Sequence, residues 1–276
     1  MSIFLAVVIT AGALAVAVSV MLVARRLAPD GGYLGMPEPN HTGSALSVLG
    51  TGFAILTAFV LLLAFQSFLN AKRNADAEAR ATQEQFRLAD YFPAAHRERL
   101  EGELVCYARA VVLDEWPSMR HGGRSELVDR WRQAINGDIH LVPVRDQQDA
   151  VEYSEWFDQR ALREQGRRER LQEAAPFIPP LLWVALVMAA LILVGYVCIF
   201  ANRSIRWPFQ LAVVCAITAV AAMNLCVVRF LDTPYADVAG SIKPSSMRQS
   251  LGDMERGLSP AAPGPPCDGR GRPARV

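Results

Sequence analysis

The chain has 276 residues, of which 52% are hydrophobic and 20% charged, with a formal net charge of +1. A charge so near zero excludes a global field directed at nucleic acid or an acidic partner. The charged residues are almost entirely segregated from four long apolar runs, which a single water-soluble globule does not require.

The first apolar run covers 3–23 and is closed by Arg25 and Arg26. A cleaved signal peptide is the alternative, but Met1 and Ser2 supply no basic leader and the run is long for one. Pro29, Gly31, Gly32, Pro37 and Pro39 then predict a non-helical linker. The second run, 45–69, meets no breaker at its end, and the Ala-, Glu-, Gln- and Arg-rich stretch that follows predicts a helix continuing to about Tyr91, before Pro93. A hydrocarbon core of about 30 Å needs roughly 20 apolar residues in a helix, and both runs reach that length.

Between 70 and 176 the sequence reads as a soluble insert of mixed charge. A helix is expected over 96–116, where Leu100, Leu104, Tyr107 and Val111 share a face. Another is expected over 125–135, with Ser125 as N-cap and Asn136–Gly137 as its stop. A third covers 146–175, increasingly charged towards Arg170 and expected to be solvated. Two further apolar runs follow, 181–200 and 209–228, separated by a polar turn containing Asn202, Arg203 and Arg206. Trp183, Tyr196 and Trp207 sit near their ends, as interfacial anchors do. Beyond 258 the Pro- and Gly-rich tail has little to bury and is expected to be disordered. The expected fold is therefore an all-α membrane protein: a transmembrane hairpin within 1–69, a helical soluble insert over 70–176, a second hairpin within 177–231, and a tail over 232–276.

None of the four runs contains Asp, Glu, Lys, Arg or His, which argues against a proton relay or voltage sensor. Lys72, Arg73, Arg163, Arg167, Arg168, Arg170 and Arg229 lie close to run ends on the side of the insert, against Arg25, Arg26, Arg203 and Arg206 in the short loops. That excess favours a multi-pass protein of the cell membrane with the insert and both termini in the cytoplasm.

Chemical motifs are scarce. There is no phosphate-binding GxxxxGK or GxGxxG and no GxSxG elbow, so no enzyme and no cofactor are expected. His121-Gly122-Gly123 is better read as a helix-to-helix turn than as part of an oxyanion loop. The four histidines lack ligand spacing. The five cysteines include no C-x-x-C pair, and three lie in apolar runs, so neither a disulfide framework nor a zinc site is expected. Arg270-Gly271-Arg272-Pro273 is similar to a minor-groove arm, but attraction to anionic lipid headgroups suits a membrane protein better than nucleic acid does.

The second run is the most informative. At about 100° per residue, Ser47, Gly50, Thr51, Ala54, Thr57 and Ala58 fall on one stripe of small residues, the kind that lets membrane helices approach closely. Ile55, Phe59 and Leu63 align on another face, and Gln66 continues near that line. That face either touches lipid or forms an apolar constriction that gates a pore by dewetting.

The segment Tyr107-Ala-Arg-Ala-Val-Val-Leu-Asp-Glu115-Trp116-Pro117-Ser-Met119 resembles the signature of the bestrophin-like, domain-of-unknown-function family of bacterial integral membrane proteins. Arg167-Arg-Glu-Arg-Leu171, Pro180-Leu-Leu-Trp183 and the closing Leu231-Asp232-Thr-Pro234-Tyr235 agree with it, although Thr233 stands where a basic residue is usual. The resemblance covers roughly Ala45 to Leu251. It implies a likeness to bestrophins, which are pentameric anion channels with cytoplasmic termini and large apolar residues four apart at the pore neck. Ile55, Phe59, Leu63 and Gln66 would then line the pore, with Lys72 and Arg73 drawing anions to its mouth. The acidic calcium clasp of animal bestrophins has no counterpart, since Asp232 and Asp237 are too few, so no calcium requirement is implied. The expected partners are the lipid bilayer, further copies of the chain and small anions. The alternative function is a non-conducting scaffold or sensor whose insert binds a partner.

Overall fold

The computed structural model describes residues 3–27, 39–120, 122–199, 206–259 and 264–274. The linker over 28–38, His121 and the turn over 200–205 lie outside the described residues. Among those described, the structure is helical, with one isolated bridge between Cys267 and Pro273. The helices are α1 (Ile3–Leu27), α2 (Pro39–Leu88), α3 (Ala94–Ala110), α4 (Trp116–Met119), α5 (Glu126–Ile139), α6 (Gln147–Gln172), α7 (Pro180–Ile199), α8 (Trp207–Leu231) and α9 (Ser245–Gly257). A π-helical turn, Val111–Glu115, joins α3 to α4. Four of the helices, α1, α2, α7 and α8, are long and apolar enough to cross a membrane.

Helix α2 runs unbroken for 50 residues. It starts at Pro39, earlier than the apolar run and inside the stretch expected to be linker. Proline is tolerated in a first helical turn because its missing N–H would have had no partner there.

The chain divides into two compact units. The first contains Met1–Phe68 and Pro176–Thr233, with Val238–Gly240. In it, Ala17 and Met21 of α1 pack with Cys198 and Val214. Val60 and Ala64 of α2 pack with Ile178, Leu186 and Val228, while Phe53 meets Ala190, Leu193 and Ala221. Polar side chains close the ends of this bundle. Arg25 Nη1 donates to Gln210 Oε1 at 2.9 Å. The buried Asp232 carboxylate accepts from Ile178 N at 2.9 Å and Trp183 Nε1 at 3.3 Å.

The second unit contains Leu69–Ala175, Pro234–Asp237 and Ser241–Val276. Its centre is α3, where Leu100, Leu104, Val105, Cys106 and Tyr107 are buried. Ser125 caps α5, its Oγ accepting from Val128 N at 3.2 Å, and Asp146 caps α6 by accepting from Asp149 N at 2.8 Å. Helix α5 does not stop at Asn136–Gly137, as the turn signal suggested, but continues to Ile139. A glycine inside a helix costs about 1 kcal/mol, whereas burying an isoleucine such as Ile139 returns about 1.5–3 kcal/mol. Helix α9, which periodicity did not single out, is held by Met247, Ser250 and Met254, buried at three- and four-residue spacing.

Two expectations are corrected here. Cys106 and Cys267 form a disulfide across 161 residues of sequence, and the tail over 264–274 is ordered rather than disordered. Trp131 Nε1 donates to Gly271 O at 2.6 Å, and Asp268 Oδ1 accepts from the backbone N–H groups of Arg270 and Arg272, each at 2.8 Å. Gly271 has a positive φ of 77° and approaches α3 so closely that a Cβ would lie 2.8 Å from Ala110 N. Composition missed this segment because a covalent link and backbone hydrogen bonds order it, not the apolar burial that composition measures.

Candidate functional site

In the first unit, α2 buries a single seam, Phe53, Thr57, Val60 and Ala64, spaced three and four apart. Leu46, Leu49, Leu56 and Leu61 pack partly buried beside that seam, and the face turned away from it is exposed among the described residues. Ile55, Phe59 and Leu63 are 58%, 65% and 42% exposed, and Gln66 is exposed beyond them. Val48, Leu62 and Phe65 are exposed as well, so the open face is wider than the line of four. Of the small stripe, only Thr57 is buried; Ser47, Thr51, Ala54 and Ala58 are exposed and Gly50 is half-buried. A Cβ built on Gly50 meets nothing within 4 Å. Apart from Thr57, none of the small residues is buried against a described helix of the same chain. In the second unit, Lys72 and Arg73 are exposed and form no ion pair with a described residue.

The second unit brings the signature residues together around a buried ionic cluster. Tyr107 lies in the last turn of α3 and Glu115 ends the π-turn that follows it, about two turns further on. Arg167 and Arg170 reach them from α6. Arg170 Nε donates to Glu78 Oε2 at 2.5 Å, and its Nη2 donates to Glu115 Oε2 at 2.6 Å. Arg167 Nη2 donates to Glu115 Oε1 at 2.6 Å and its Nη1 to Asp129 Oδ1 at 2.7 Å. The Tyr107 hydroxyl donates to Glu78 Oε1 at 2.8 Å. Trp116 packs its ring beneath the Arg170 guanidinium, 5.3 Å away, and edge-on to Tyr235 at 5.4 Å. Pro117 follows in α4 and, lacking an N–H, cannot donate back to the π-turn that precedes it.

The electrostatics follow from burial and charge. Burial pushes the Glu115 carboxyl up, but Arg170 and Arg167 more than offset it and hold the group below its ordinary range. Burial, reinforced by the Glu78 charge, pushes the Tyr107 hydroxyl well up, so it stays a neutral donor. Glu78, Glu115, Arg163 and Arg170 are all fully buried, which leaves this cluster no open face for a substrate. It braces the bundle and fixes which helix faces meet.

Sequence reasoning placed Arg163, Arg167 and Arg170 on a solvated helix, and this is corrected: all three are buried. The missed signal was their spacing, i, i+4 and i+7, around Gly166. A Cβ at Gly166 would lie 2.9 Å from Asn74 O and from Glu78 N, so only glycine allows α6 and α2 to approach this closely. Among the described residues, no group of three His, Cys, Asp or Glu side chains gathers in a way that could hold a metal ion.

Comparison with known proteins agrees with this architecture. The chain matches the Bestrophin-like domain over residues 11–247. No curated protein matches it. A bacterial Bestrophin homolog from Klebsiella pneumoniae superposes with a TM-score of 0.67 at 16% identity, covering 90% of this chain and 98% of the other. A mutant of that homolog gives 0.68 at 17% identity, covering 88% and 97%. A crystal structure described as a membrane protein variant gives 0.70 at 15% identity, covering 89% and 98%. At such identities the likeness is one of fold. The domain match takes in most of α1, all of α2, α7 and α8, and the signature around Glu115, and the chain therefore belongs to the Bestrophin-like family of membrane proteins.

Proposed function

We propose that the protein is a homo-oligomeric, bestrophin-like channel for small anions, with its pore along α2. The observation that carries this reading is the uncovered line of Ile55, Phe59, Leu63 and Gln66. A single copy leaves the line open, so several copies arranged around an axis would bring it into one constriction. An apolar neck opposes ions mainly by excluding water, and Phe59→Ala should widen it and raise conductance in a planar bilayer. Lys72→Ala with Arg73→Ala should weaken anion preference, more so at low salt, where screening is slight. Silence of wild type and of Phe59→Ala, under conditions where a control channel conducts, would refute the channel and favour a scaffold or sensor. A monomeric mass in mild detergent would do the same.

The proposed orientation keeps the insert and termini in the cytoplasm. The opposite reading is favoured by one observation, the Cys106–Cys267 disulfide, since such bonds persist in oxidising compartments. Burial of Arg163, Arg167 and Arg170 also removes three charges from the count that set the first orientation. A cysteine introduced at Gly123 and probed with a membrane-impermeant thiol reagent in intact cells decides between them. Protection supports the cytoplasmic insert, and labelling reverses it.

A further inference from the structure

We propose that the second unit carries a binding site for a small soluble carboxylate with an apolar tail, independent of the channel reading. The site is a 450 Å³ cavity between the π-turn, α4, the segment around Tyr235 and the start of α9. That volume is within the range of small-molecule pockets, about 300–1,000 Å³.

Its walls divide by chemistry. Val112, Leu113, Trp116 and Ile242 make the apolar side. Leu113 is half exposed there, turned outward by a π-turn, a departure from α-helix that is common at functional sites. The opposite rim carries three cations, Arg120, Lys243 and Arg248, and one anion, Asp237.

Asp237 shows what the rim accepts. Its carboxylate receives Lys243 Nζ at 2.7 Å and faces Arg120 Nη1 at 3.0 Å. These two cations hold its carboxyl below the ordinary range, as they would a second carboxylate. Arg248 forms no ion pair with any described residue, which leaves a fork-shaped donor uncommitted beside a carboxylate cradle. The rim's net charge is positive, and the one polar side-chain atom of the apolar wall, the buried Trp116 Nε1, has no hydrogen-bond partner among the described residues. A carboxylate head on Arg248 and the Lys243 edge, with an alkyl chain along Leu113 and Ile242, matches both sides. The Tyr235 hydroxyl takes no part, because it donates to Ala71 O at 2.8 Å.

The test is isothermal titration of hexanoate into the full-length protein in detergent. Saturable binding is expected, with acetate weaker by about tenfold or more, because it leaves the apolar wall unfilled. Arg248→Ala should weaken hexanoate by roughly threefold to tenfold. Asp237→Asn should strengthen it, since it frees Arg120 and Lys243 for the incoming carboxylate. Both side chains are exposed, so melting curves should match wild type and separate lost binding from lost fold. No saturable binding to wild type, or equal affinity in wild type and both variants, would overturn the site. Displacement of hexanoate by bilayer-dissolved oleate in lipid nanodiscs would overturn the soluble ligand in favour of a lipid-borne one.

Discussion

The two units solve opposite solvent problems with the same secondary structure. In the first, the most apolar windows of the four long helices are only 11% to 28% buried, so most apolar surface faces outward. In the second, α3 buries Glu101 and Glu103 along with its leucines, and α6 buries three arginines. A helix in lipid satisfies its own backbone and can present leucine or phenylalanine all round. A helix packed in a bundle buries polar groups only with partners, and here α6 pairs Arg167 and Arg170 with Glu78, Glu115 and Asp129. The lesson is that hydropathy reports which solvent a helix lives in, but not which side chains form its core.

The largest expected effect lies in the ionic core. Arg170→Met should destabilise the second unit by about 3–5 kcal/mol, because it leaves Glu78 and Glu115 buried without their shared partner. Denaturant unfolding in detergent measures this. A loss below about 1 kcal/mol would mean that the cluster is solvated, and the contrast between the units would fail.

Next comes the staple. Cys267→Ser, or reduction of wild type, should cost about 2–4 kcal/mol by freeing a loop of 161 residues. It should also expose residues 264–274 to protease while leaving the apolar helices intact. An unchanged melting temperature on reduction would show that the bond contributes nothing.

A pH series sharpens the same region. Burial first, then a hydrogen bond with Asp138 and that residue's charge, raise the Glu103 carboxyl to about 9 against the opposing pull of Arg99. The folded state thus holds a proton that the unfolded chain, titrating near 4.5, has lost. This contribution to stability is full below about pH 4.5 and is lost as pH rises towards 9. Glu103→Gln should therefore leave the melting temperature unchanged near pH 4.5 and raise it by several degrees at pH 8. A constant difference across the range would place the titration elsewhere.

The smallest effect on the protomer is expected in the first unit. Gly50→Leu should change the stability of one chain by no more than about 0.5 kcal/mol, because nothing lies within 4 Å of the new Cβ. If the small stripe packs against a second copy, the variant should still lose its oligomeric mass on size exclusion. Normal mass would remove the stripe from the interface and leave it facing lipid.

The sequence alone determined the four apolar helices, the continuation of α2 beyond its apolar run, and the N-cap of α5. These depend on length, hydropathy and local hydrogen bonding, all of which act within one turn or one span. It also singled out Tyr107, Glu115, Trp116 and Pro117, though without their partners. Only the tertiary structure decided that Glu78, Arg167 and Arg170 are those partners, that Cys106 meets Cys267, and that α5 passes through Asn136–Gly137. Each of these rests on contacts between segments tens of residues apart or more, where local propensity of about 1 kcal/mol is outweighed by burial and ion pairing. A charged helix face carries the same letters whether it meets water or another charged face, and only packing tells the two apart.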